Sequence, residues 1–202
     1  TSSTFVQALQ VCELESHAKL WHSMSNVHAA PSDFRIVHVP AGPPEFVAKE
    51  NLLPFMDEFT RYVLQFARYQ RRPYDLMHAN FWMSGLVACE LKQSLGIPFA
   101  ITFHALGRVR RLHQQGADEF PDARFAVEDR IALEADRIIA ECPQDREDLL
   151  QLYGAERERI RIIPCGFDPH EFGPADKTQA RASLGLRPEE FIVLQLGRMV
   201  PR

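Results

Sequence analysis

The chain carries no glycine before Gly42. A glycine-rich phosphate cradle at the start of a first strand is therefore absent from its opening segment. Cysteine is scarce. Cys12, Cys89, Cys142 and Cys165 lie far apart with no C-x-x-C pair, which argues against a zinc site or a disulfide framework and suits reduced thiols in the cytoplasm. There is no excess of basic charge: the formal net charge is -4, so a general affinity for nucleic acid or an anionic membrane is not indicated. No apolar run is long enough to cross a bilayer. Residues 1–10, TSSTFVQALQ, lack the basic flank and apolar core of a secretory signal. Repeats and low-complexity segments are also missing.

What is present suits a globular protein. The 202 residues are 46% apolar and 25% charged, enough for a proper core. Residues 1–33 are hard to read, with a helical start at Val6–Val11 that decays. From there strands and helices alternate. Arg35–Val39 is an alternating, β-branched strand stopped by Pro40. Leu52, Phe55, Met56, Phe59, Tyr62, Val63 and Phe66 follow helical spacing to about Arg72, with Pro54 breaking or beginning the helix. This aromatic stripe is expected to be core.

The centre runs from Pro73 to Arg111. Asp75–His78 is a short strand and Ser84–Leu95 a helix closed by Gly96 and Pro98. Phe99–Phe103 is a second strand. Strands joined this way are parallel, and ligands bind outside the carboxyl ends of parallel strands. His78 and Asn80 follow the first strand, and His104, Gly107 and Arg108 follow the second. Ala105–Pro121 is a long connection rich in basic residues, functional or mobile. Arg108, Arg110 and Arg111 in it either meet anions of a ligand or are solvated.

The remaining elements are a helix over Asp122–Glu134, a strand at Arg137–Ala140, and a helix begun by Pro143 and closed by Gly154. Next come a strand at Arg159–Ile163, a helix at Lys177–Leu184 and a strand at Phe191–Leu196. The alternation predicts an α/β, doubly wound, mostly parallel Rossmann-like sheet. Residues 34–163 form that domain, 164–174 a turn-rich hinge, and 175–202 the truncated start of a second domain; residues 1–33 stay unassigned. The chain stops at Arg202 just where a helix is next required, so it reads as a fragment.

Several stretches resemble a known family. IRIIPCGFDPHEF is similar to the hinge signature of retaining glycosyltransferases of the GT-B architecture, and LGRMVPR to the start of their nucleotide-sugar domain. HANFWMSG, TFHALGRVRR and GPPEFVAKENLLPFMDEF resemble the glycosyltransferase family 4 and sucrose-phosphate-synthase-like group. The resemblance runs from about Phe34 to Arg202. It implies an acceptor-binding domain that works with a nucleotide-sugar donor, without a metal or other cofactor, on small-molecule sugars. The acceptor is a hydroxyl compound, with a sugar phosphate as one option. By resemblance His104 is catalytic, Lys49, Asn80, Phe81 and Arg124 bind the acceptor, and Gly197 and Arg198 bind the donor. An Arg and a helix N-terminus can stabilise a departing diphosphate. Lys49 and Arg124 would grip an acceptor phosphate, neither being near an apolar face. Phe81 and Ala105 replace hydroxyl-bearing residues common in relatives, and Cys165 replaces a common asparagine. The expected setting is cytoplasmic, with peripheral membrane contact left open, and the fragment alone is expected to be inactive. A noncatalytic sugar-phosphate or nucleotide-binding domain is the alternative, with a GT-B epimerase as a third option.

Overall fold

A computed structural model of the chain describes residues 37–71 and 73–197. Residues 1–33, the start of the predicted first strand at Arg35 and Ile36, Arg72 and Arg198 lie outside them. The described residues fall into two units that meet in sequence between Ile163 and Pro164.

The first unit opens with two single 3-10 turns, Lys49–Asn51 and Leu53–Phe55, and helix α1 (Met56–Arg68). Pro54 sits in the second turn, so it begins the helix rather than breaking it. Met56, Val63 and Ala67 form the buried face of α1. Then come β1 (Met77–Asn80), α2 (Trp82–Leu95), β2 (Phe99–Thr102), α3 (Gly107–Gln114), α4 (Ala123–Glu134), β3 (Arg137–Ala140), α5 (Pro143–Tyr153) and β4 (Ile160–Ile162). The strands lie in the order β1-β2-β3-β4, each pair parallel. This is an α/β fold with a parallel four-stranded sheet. Parallel neighbours need a crossover between them, which α2, the α3–α4 pair and α5 provide.

Register explains the core. Ala79, Ile101, Ile138 and Ile160 stand abreast across the four strands, and all are buried. Burying each isoleucine side chain contributes about 1.5–3 kcal/mol. Met77 and Phe99, paired two positions earlier, are buried as well. Gly96 and Gly154 close α2 and α5 in left-handed conformations, with φ of 69° and 60°. Asp136 joins the start of β2 to the α4–β3 turn. Its Oδ2 accepts from the Phe99 N–H at 2.9 Å and from Lys92 Nζ at 2.8 Å.

Four expectations are corrected. Residues 37–39 belong to no strand, so the described part of the predicted first strand has no regular secondary structure. The first sheet strand starts at Met77, not Asp75, and takes in His78 and Asn80, because pairing with Phe99–Thr102 sets its limits. The basic connection after His104 contains helix α3 and a further 3-10 turn, Gln115–Ala117. That helix escaped detection because it offers only Val109 and Leu112 as large apolar residues, and Leu112 is exposed. Finally, Phe191–Leu196 has no regular secondary structure. No other described segment gives it a ladder partner, and a strand without one leaves its backbone to water.

The second unit holds a short helix, α6 (Lys177–Ser183). Asp176 caps it by accepting from the Gln179 N–H at 2.8 Å. Arg181 gathers the following turn through the carbonyls of Arg187, Pro188 and Glu190.

Candidate functional site

The carboxyl ends of β1, β2 and β3 bring three polar side chains together. Asn80 is the last residue of β1 and pairs in register with Thr102, the last of β2. His104 follows β2 by two positions, and Glu141 follows β3 directly. The His104 ring lies between the other two: Nε2 is 2.9 Å from Asn80 Oδ1 and Nδ1 is 3.0 Å from Glu141 Oε1. The His104 side chain is 46% exposed and that of Glu141 24%, so the cluster is open to a ligand. Asn80 and His104 were expected from sequence to serve function. Glu141 was not, since a single acidic residue between a strand and a helix has no periodic signature.

The backbone is unusual at the same place. Phe81 has φ 72° and His104 φ 57°. Left-handed conformations in such residues cost about 1–3 kcal/mol each and collect at functional sites. The Phe81 N–H still donates to the Thr102 carbonyl at 2.9 Å, which ties this bend to the end of the sheet. His78 points elsewhere, with Nε2 2.9 Å from Thr102 Oγ1. Burial, then the charge of His104, moves its pKa below the ordinary value.

Beside this cluster is a buried ionic network. Arg124 Nε donates to Glu128 Oε1 at 2.7 Å, one turn along α4, and both side chains are almost wholly buried. Arg124 Nη2 donates to the Ala105 carbonyl at 2.5 Å, immediately after His104. Its guanidinium lies 5.2 Å from the Phe81 ring centre, 4.6 Å from Phe120 and 5.8 Å from Trp82. The expectation that Arg124 stands apart from any apolar face is therefore wrong: it is enclosed by aromatic rings. Arg124 Nη1 is buried without a hydrogen-bond partner among the described residues.

Glu128 also occupies the start of α3. Both its oxygens accept from the Gly107 N–H, at 3.1 and 3.0 Å. A Cβ on Gly107 would fall 2.8 Å from Arg124 Nε and from Glu128 Oε2, so a larger residue here would have to displace this buried pair. Tyr153 donates its hydroxyl to Glu128 Oε2 at 2.6 Å and accepts from the Arg108 N–H at 2.9 Å. Burial, then the Glu128 charge, pushes the Tyr153 phenol up. This helix N-terminus is already filled by the protein's own carboxylate.

The arginines of α3 are committed as well. Arg108 forms a two-pronged pair with Asp129 and lies 4.7 Å over the Tyr153 ring. Arg110 and Arg111 reach Asp118 at 2.9 and 3.2 Å, and Arg111 also reaches Asp122 at 2.9 Å. Lys49 lies in its 3-10 turn ahead of α1 and is not among the partners of Arg124. Gly197 is exposed, in the second unit. Among the described residues no group of three or more His, Cys, Asp or Glu is placed to hold a metal ion. No helix among them is long and apolar enough to cross a membrane.

An all-parallel sheet with polar residues at its strand ends has the α/β architecture in which ligands sit beyond the strand ends, and its solved neighbours place it among GT-B glycosyltransferases. Sucrose-phosphate synthase from Thermosynechococcus elongatus superimposes with a TM-score of 0.66 at 29% identity, over 76% of this chain and 37% of that one. The chain belongs to glycosyltransferase family 4, whose model matches residues 22–171. A D-inositol 3-phosphate glycosyltransferase of Catenulispora acidiphila is 39% identical over 166 residues, 81% of this chain and 39% of that protein. The enzyme of that name from Nocardia farcinica is 37% identical over 192 residues, 94% of this chain and 42% of that protein. The chain thus spans about two fifths of the length of these relatives.

Proposed function

We propose that the chain is the acceptor-side part of a retaining glycosyltransferase that moves a sugar from a nucleotide-sugar donor to a hydroxyl acceptor. The observation that carries this reading is the Asn80–His104–Glu141 cluster at the strand ends of a family 4 chain. Transfer passes through an oxocarbenium-like state while negative charge builds on the leaving diphosphate. His104 is the catalytic residue in this reading, offering an imidazole edge to a sugar hydroxyl at the reacting centre. Asn80 and the Phe81 ring line the acceptor side. Gly197 and Arg198 bear on the diphosphate, and no metal is required.

A phosphorylated acceptor, as in the names of the inositol and sucrose relatives, is the first to test. Lys49 and Arg124 are its assigned partners. Arg124 contributes through Nη1, its other nitrogens named above being engaged by Glu128 and Ala105. The protein works in the cytoplasm, where a free thiol such as Cys89 stays reduced. Residues 1–202 by themselves turn over no donor.

The test uses the full-length protein with nucleotide sugars and inositol 3-phosphate or unphosphorylated inositol, the product anomer being read by NMR. Transfer with retention, abolished in His104→Ala, is expected. In Lys49→Ala the KM for the phosphorylated acceptor rises while donor affinity holds, because a charged hydrogen bond contributes about 1.5–3 kcal/mol. Donor binding without any transfer would turn the reading to a noncatalytic binding domain. Equal loss for both acceptors would remove the phosphate pocket alone.

A further inference from the structure

We infer that Glu141 is a positioning residue that clamps His104 by its Nδ1–H, and that Asn80 lets the opposite ring nitrogen gain or lose a proton without moving the ring. The geometry is asymmetric. A carboxylate only accepts, so the 3.0 Å contact of Glu141 Oε1 with Nδ1 requires a hydrogen on Nδ1. A carboxamide has both an acceptor and a donor end. Asn80 presents Oδ1 to Nε2 at 2.9 Å, which suits a protonated Nε2. A half-turn of the amide presents Nδ2 instead and suits a bare one. The ring keeps two hydrogen bonds in either state.

The clamp is anchored on both sides. Asn80 is fixed by sheet register with Thr102. Glu141 precedes α5, and its own N–H donates to Asp145 Oδ2 at 3.0 Å, with Cys142 N–H on the same oxygen at 3.2 Å. The left-handed backbone at His104 aims the ring between them. His78, turned onto Thr102 Oγ1, also senses the charge of His104. Function in transfer rests on the glycosyltransferase reading: a ring held at Nδ1 by Glu141 presents Nε2 in a fixed place, where a sugar hydroxyl takes over the hydrogen bond from Asn80.

The experiment reads the ring directly. Full-length protein is labelled with 15N-histidine, and His104→Gln assigns the His104 signals by their loss. In the parent, the neutral ring is expected as the Nδ1–H form, and Nδ1 keeps its hydrogen across the titration. Glu141→Ala should shift the neutral ring to the Nε2–H form usual for free histidine, and Glu141→Gln, which keeps an acceptor oxygen, should restore Nδ1–H. Parallel kinetics should show Glu141→Ala losing about 10–100-fold in kcat from ring misplacement, with partial rescue by Gln and little change in donor KM. An Nε2–H ring in the parent, or one unmoved by Glu141→Ala, overturns the clamp. An intact clamp in a protein without transfer leaves this inference standing and sinks the proposed function instead.

Discussion

Two apolar runs of the chain, Phe99–Thr102 and Phe191–Leu196, have opposite fates. In the first, Phe99 and Ile101 are fully buried in a strand paired on both sides. In the second, Phe191 is 94% and Leu196 87% exposed, with no regular structure. By composition both read as strands. The difference teaches that a short apolar run becomes a strand only where another strand offers its backbone groups, and that burial follows from the sheet rather than preceding it.

The largest effect expected on the first unit comes from its buried ion pair. Glu128→Ala strands Arg124 among three aromatic rings and uncaps α3, and should cost about 3–5 kcal/mol. Denaturant titration reads it, and a loss under about 1 kcal/mol would mean the pair is wetter than its burial implies. Next comes the direct contrast of the two runs. Ile101→Ala should cost about 2–5 kcal/mol as a core cavity, and the Ile101 amide should exchange far more slowly than that of Leu194. Equal protection of the two amides would show that 191–196 finds a partner strand.

A smaller effect is pH-dependent. Burial alone would raise the Asp136 carboxyl, but Lys92 and the Phe99 N–H outweigh it and hold it below the ordinary value. A depressed carboxyl stabilises the fold above its unfolded pKa, about 3.9, and loses that contribution as pH falls through the folded value. Asp136→Asn should flatten this acid limb in melting curves taken from pH 5 downward, and an acid limb identical to the parent's would assign acid sensitivity to other carboxylates such as Asp118. The smallest effect closes the comparison. Phe191→Ala removes an exposed ring and should change stability by no more than about 0.5 kcal/mol, as thermal melting would show.

Much of the first unit was legible in the sequence because its signals are local. Gly96 and Gly154 end helices through a backbone preference that any neighbour would leave intact. Pro143 starts α5 as expected, and β3 spans the predicted Arg137–Ala140. Helix α3 was hidden because its arginines outnumber its apolar residues, and the carboxylates they meet, Asp118, Asp122 and Asp129, lie elsewhere in the chain.

The sequence by itself determined the α/β alternation, most helix ends and the family, since caps, periodicity and motifs are written in neighbouring residues. It also marked Asn80 and His104 as polar residues at strand ends. Only the tertiary structure decided that Glu141, 37 positions from His104, completes the cluster, and that Arg124 is enclosed with Glu128 and Tyr153 rather than standing at an open surface. The physical reason is parallel pairing. It brings the ends of successive strands side by side across long crossovers, so residues far apart in the chain become hydrogen-bond partners by register and not by spacing.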